Sequence, residues 1–187
     1  DICKDLNSWL IHISTDYVFD GNAVVPYNES NKTNPQGIYG KSKLKGEMAI
    51  KLSGCTHIII RTAWVFSEYG NNFLKTMLRL GADREELSIV GDQVGCPTYA
   101  QDIAKAITSM LPSLPSKGGA SEVFHYCGDQ SCSWYDFACA IFSEASSLGL
   151  KTPSRINSIE TIAYPTPAVR PIYSVLDCSK VGSSFGI

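Results

Sequence analysis

Residues 9–21 read WLIHISTDYVFDG, a short isoleucine-rich apolar segment that runs straight into hydroxyls and a carboxylate. An apolar run of this length, bounded by polar turn residues, is the sequence form of a strand buried on both faces of a parallel sheet. HIII, at 57–60, repeats the character. Between them lies NPQGIYGKSKLKGEMAI, 34–50, in which Leu44 and Met48 stand four apart and Pro35 and Gly37 punctuate the approach. Residues 39–52 are therefore expected to form an amphipathic helix. Parallel strands need a crossover, nearly always right-handed, so strand, helix and strand together predict a layered α/β sheet.

Further along, NNFLKTMLRLGA (71–82) puts Phe73, Met77 and Leu80 on one helical face, and TYAQDIAKAITSML (98–111) does the same with Ile103, Ile107 and Met110. In CSWYDFACAIFSEASSLG (132–149), Ser133 with Asp136 three residues later predicts a capping box, and Gly149 a stop. LSIV (87–90) and VFHY (123–126) are short strand candidates, whereas the prolines of AYPTPAVRP (163–171) predict an extended loop.

The chain has 187 residues, 44% of them hydrophobic, and a formal charge of −2 without a run of either sign. That composition supplies a sizeable core and argues against nucleic acid or a polybasic membrane surface as partner. No apolar segment reaches membrane-spanning length, so a soluble, cytoplasmic setting is expected. Seven cysteines, odd in number and without a Cys-x-x-Cys pair, indicate reduced thiols rather than a disulfide framework or a zinc site, and no metal site is expected. His12, His57 and His125 lie in strand-like runs and read as satisfied strand residues.

Ligands of open α/β sheets sit beyond the carboxyl ends of the strands. The first strand leaves through Ser14, Thr15 and Asp16, the second through Thr62, and the helix between them carries Tyr39 and Lys43. An i, i+4 pair shares a helical face, and a phenol, which titrates near about 10 in water, is drawn toward its ionised form by a nearby ammonium. Such a phenol is a usable general acid, and the Thr15 hydroxyl is placed to bond both it and a substrate carbonyl oxygen. The set suits carbonyl reduction. The plainer alternative makes Tyr39 a core-edge aromatic, Lys43 a solvated helix residue and Thr15 a turn hydroxyl.

STDYVFDG, YGKSK, RTAWVF, GNNFLKTMLRL, DQVGCPT and RPIYSVLDCSK, in that order, resemble the extended short-chain dehydrogenase/reductases and, more narrowly, the dTDP-4-dehydrorhamnose reductase family. The resemblance implies a Rossmann-type parallel sheet portion with a smaller α+β substrate-binding part, divided as 1–67 and 68–187. It implies Thr15, Tyr39 and Lys43 as the catalytic triad, with Ser14, Tyr39 and Lys43 holding the cofactor. Asp16, Tyr17, Trp64, Asn71, Asn72 and Arg170 are implied to bind substrate. Asn71 and Asn72 have capping the following helix as an alternative, and Gln93 is expected to fix a turn. The family reduces the 4-keto group of dTDP-4-dehydro-L-rhamnose with NADPH or NADH for cell-surface polysaccharide. A related dehydratase carries Asp-Glu after the threonine, where this chain has Asp16-Tyr17.

The glycine-rich turn that cradles a dinucleotide pyrophosphate does not occur in this sequence. By comparison with the family, the chain is expected to begin after roughly the first third and to stop short of the final helix. It is then expected to leave the 9–13 strand at a sheet edge open to a second copy, making a homodimer a candidate assembly, and to bind NADPH or NADH weakly by itself. A second reading makes it a non-catalytic regulatory subunit, since the β subunit of methionine adenosyltransferase is similar in fold and in its Tyr-Gly-Lys segment.

Overall fold

The structure, a computed structural model, describes residues 2–116 and 119–187. Along the chain run α1 (Ile2–Asp5), β1 (Leu10–Thr15), α2 (Ile38–Ser53), β2 (His57–Thr62), β3 (Val65–Phe66), α3 (Phe73–Asp83), β4 (Glu86–Val90), β5 (Val94–Gly95), β6 (Thr98–Tyr99), α4 (Ala100–Met110), β7 (Glu122–His125), β8 (Cys132–Ser133), α5 (Trp134–Ser147), β9 (Arg155–Ile159) and α6 (Ser179–Phe185). β2 is buried at all six positions because it is the middle strand of a parallel sheet ordered β1-β2-β7. This is the layered α/β sheet expected from the two isoleucine runs, and the Rossmann-type sheet portion that the resemblance implies.

Alternation divides the two faces of that sheet. Ile58 and Ile60 of β2 point into a cluster with Met110 of α4, Phe124 of β7 and Val181 of α6, joined by Ile11. Each such fully buried isoleucine contributes about 1.5–3 kcal/mol. The other face presents Ile59 and Arg61 toward α2. Here the expected apolar stripe holds only in part: Leu44 packs on the cluster around Val18 and Phe19, but Met48 is 53% exposed, while Glu47 is wholly buried. What docks α2 is an ion pair, Glu47 to Arg61, and the helix is not amphipathic in the expected sense.

A second core lies between α3 and α5, where Met77, Ala138, Ile141 and Phe142 close over Leu87 and Ile89 of β4, with Phe73 and Leu80 alongside. β4 pairs with β9 in parallel from Glu86↔Arg155 to Val90↔Ile159. Ser133 caps α5 in a capping box with Asp136, and Gly149 follows it in the left-handed region, as the sequence predicts. A cut at residue 67 does not separate the sheets, since β7, far downstream of it, pairs with β2.

Of the histidines, His57 bonds the Cys55 carbonyl and His125 the Tyr27 carbonyl through Nδ1, at 2.8 and 2.9 Å. Nε2 of His12 and Nε2 of His125 are buried without partners, so the expectation of fully satisfied rings holds only in part. Burial, helped by Arg61 and opposed by Glu29, lowers His125 to about 4 and keeps it neutral. The proline segment is extended after a single 3-10 turn at Thr161–Ala163, which Gln93 anchors through Thr161 Oγ1 at 3.0 Å. Among the described residues no helix is long and apolar enough to cross a membrane.

Candidate active site

β1 ends at Thr15, and the chain turns at once into a 3-10 helix over Asp16–Val18. Thr15 Oγ1 accepts the Tyr17 N–H at 3.3 Å and donates its one proton to Asp16 Oδ1 at 2.8 Å. The hydroxyl expected to bond a substrate carbonyl has thus committed its hydrogen to the neighbouring carboxylate and offers a lone pair instead. Asp16 itself is buried, with Oδ2 unpartnered. Burial pushes its carboxyl up to about 6, against hydrogen bonding from Thr15 and Ser174.

α2 meets this turn through a glycine. A Cβ on Gly40 would lie 2.1 Å from the Tyr17 carbonyl oxygen, so only a glycine lets the helix approach so closely. The contact sets the flanking side chains. Tyr39 stands 56% exposed, its ring edge-on to Tyr17 at 5.6 Å between centroids. Lys43 reaches back across β1, and its Nζ donates to the Ile13 carbonyl at 2.6 Å. The Tyr39 ring is thereby set against Tyr17, just past the end of β1, and the Lys43 ammonium against Ile13 within it.

Ser14 is turned elsewhere. Its hydroxyl donates to Glu47 Oε1 at 2.6 Å, in the buried layer where Arg61 also donates to both Glu47 oxygens. A cofactor role through the Ser14 side chain does not fit that arrangement, because the hydroxyl proton serves the Glu47–Arg61 pair.

On the outer side, Tyr17 is half-buried. Burial and the Asp16 charge raise its phenol, while the charge of Arg170 works in the opposite direction. Arg170 is exposed and lines a cleft of about 400 Å³ with Asp20, Gln36, Thr161 and Tyr164. Trp64 has φ of 47°, uncommon for a large side chain, and its ring stacks on Trp134 at 3.4 Å, with Gly95 on its edge. Asn72 caps α3: Oδ1 accepts from Lys75 N–H, and Nδ2 donates to the carbonyls of Ser67 and Tyr69. Its amide thus makes the helix cap that the sequence offers as the alternative to substrate contact, while Asn71 is exposed beside it.

Over residues 1–187 the sequence matches the RmlD substrate binding domain. The chain belongs to that family. Its relatives include the dTDP-4-dehydrorhamnose reductase of Sinorhizobium fredii, 44% identical over 180 residues, covering 95% of this chain and 60% of the relative. Among solved structures, the Bacillus anthracis dTDP-4-dehydrorhamnose reductase in complex with NADP superimposes with a TM-score of 0.88 at 36% identity, covering 97% of this chain and 62% of that one. The Clostridium acetobutylicum ortholog gives 0.84 at 38% identity, covering 97% and 64%. This RmlD substrate binding domain thus spans about three fifths of the length of the proteins it matches.

Three residues that shape the site of this RmlD substrate binding domain were not visible in the sequence patterns. Glu47 and Arg61 are 14 residues apart on different element types, and Trp134 reads as an ordinary first residue of a helix. The one available signal for Glu47 was its spacing: it lies four residues beyond Lys43, on the face that carries Tyr39 and Lys43.

Proposed function

We propose that the protein acts in reduction of the 4-keto group of dTDP-4-dehydro-L-rhamnose to dTDP-L-rhamnose, with Tyr39 as general acid. The observation that carries this reading is that Tyr39 and Lys43 stand one helical turn apart on α2, with the exposed Tyr39 ring against Tyr17 and Lys43 fixed on the Ile13 carbonyl of β1. The names of the relatives and the NADP bound to the Bacillus anthracis enzyme support the substrate and cofactor class.

The residues present fit the ribose end of a nicotinamide cofactor. Lys43 has three N–H donors, of which one is taken by Ile13, leaving donors for ribose hydroxyls. NADPH or NADH, when bound, would supply a hydride to the carbonyl carbon. Tyr39 delivers the proton to the carbonyl oxygen, and Lys43 would hold the ribose. The Thr15 hydroxyl, its hydrogen held by Asp16, orients a lone pair toward an O–H donor. Tyr17, Trp64 and Arg170 border the nucleotide sugar, Arg170 offering its guanidinium to the diphosphate.

The test is NADPH or NADH oxidation by the full-length protein in the presence of dTDP-4-dehydrorhamnose. Turnover that requires this sugar nucleotide supports the reading. Absence of turnover, with tight binding to a methionine adenosyltransferase catalytic subunit, would replace it with the regulatory one.

A further inference from the structure

Away from Tyr39, a cavity of about 720 Å³ opens between the segment after β7 and the strap that leads into α6. Cys127 and Cys178 line it, with their sulfur atoms 3.6 Å apart. The Cys127 N–H also donates to Cys178 Sγ at 3.3 Å, and both thiols face the Leu176 carbonyl. Two thiols in van der Waals contact thus stand at the wall of an open cavity, on segments 51 residues apart, each also resting on a core cluster, and neither takes part in the chemistry at Tyr39.

We infer that Cys127 and Cys178 form a dithiol site for exchange with small disulfides, with Cys178 as attacking sulfur and Cys127 as resolving sulfur. The direction follows from the hydrogen bonds. Cys178 Sγ accepts the Cys127 backbone N–H, which favours its thiolate, whereas the neighbouring sulfurs of Cys178 and Cys96, together with burial, raise the Cys127 thiol and keep it protonated. The Cys178 thiolate attacks one sulfur of R–S–S–R and expels RS⁻, which takes up a proton. Cys127 then loses its proton to solvent and attacks the Cys178 sulfur, expelling the second RS⁻. The protein loses two hydrogens and the reagent is reduced to two thiols.

The rim selects the reagent. Asp102, Asp129 and Asp177 line the same cavity, so a cationic disulfide is favoured over an anionic one. The product would tie the exit of β7 to the strap holding Val175 and Asp177 on Tyr27. This inference is independent of the proposed reductase activity.

The experiment treats the protein with cystamine or with glutathione disulfide at low salt, quenches with acid and alkylating agent, and maps the peptides. A Cys127–Cys178 cross-link is expected, formed at least about threefold faster with cystamine at low salt, the difference shrinking as salt is added. Cys127→Ser should trap a mixed disulfide on Cys178, and Cys178→Ser should leave Cys127 slow to react. Separate adducts on the two residues in the wild type, or fast modification of Cys127 in Cys178→Ser, would overturn the dithiol assignment. Equal rates for the two reagents would overturn the selection by the acidic rim.

Discussion

Glu47 of α2 and Arg61 of β2 form a two-pronged ion pair, at 2.9 and 2.7 Å, with neither side chain appreciably exposed. It holds the helix carrying Tyr39 and Lys43 against the central strand. A pair of this kind gains little net stability over an apolar pair of the same shape, but breaking it strands a buried charge.

Glu47→Gln should therefore lower the stability of the fold by about 3–5 kcal/mol at neutral pH, read from urea unfolding. Burial works against the Glu47 carboxylate, but hydrogen bonds from Arg61 and Ser14 win and hold it below its ordinary value. Its contribution is thus present above the unfolded value of 4.5 and is lost as pH falls through the lower folded one. Wild-type stability in Glu47→Gln would show that the pair does not fasten α2.

Asp16 has the opposite sign. Its folded value of about 6 lies above 3.8, so its proton favours the fold, and that contribution is lost as pH rises through about 6. Asp16→Asn should raise stability at pH 7.5 by about 3 kcal/mol and change it little near pH 4. His125, neutral down to about 4, gives the reverse slope over much of the same range, so the measurement is the difference between variant and wild type at each pH.

The two glycines inside α2 should respond in opposite ways. Ala at position 40 meets the Tyr17 carbonyl oxygen at 2.1 Å, and backbone cannot give way cheaply, so Gly40→Ala should cost about 1–3 kcal/mol despite its better helix propensity. At Gly46 the nearest atom is His12 Nε2 at 3.9 Å, and Gly46→Ala should stabilise by about 0.5–1 kcal/mol. Thermal unfolding of both variants decides the matter.

The stack of Trp64 on Trp134 predicts an exciton-coupled signal in far-ultraviolet circular dichroism. Trp134→Leu should abolish that signal and, by freeing Trp64, raise KM for the sugar nucleotide several-fold, on the order of 1 kcal/mol of binding, with kcat nearly unchanged. A changed kcat with unchanged KM would place Trp64 outside the substrate site.

What the sequence made legible follows from what burial does to composition. β1 and β2 are lined with isoleucine because one is half covered and the other wholly covered, and α3, α4 and α5 each show an apolar face because each lies on a core at one side only. α2 was found as a helix but misread in part as to its buried face. Counting apolar residues cannot register a helix docked by a glycine at 40 and a carboxylate at 47, whose partner lies on the next strand. β3, β5, β6 and β8 are two residues each, too short to carry any periodicity. At the site, the positions of Thr15 at the end of β1 and of Tyr39 and Lys43 one turn apart on α2 were legible, whereas the Thr15 proton committed to Asp16 depends on a buried geometry that residue order does not encode.

The most direct measurement is kcat of full-length Tyr39→Phe for dTDP-4-dehydrorhamnose reduction, with circular dichroism as a check on folding. Loss of the phenolic oxygen should lower kcat by about 10²–10⁴ while the half-exposed ring leaves the fold intact. A folded Tyr39→Phe protein with wild-type kcat would contradict the account.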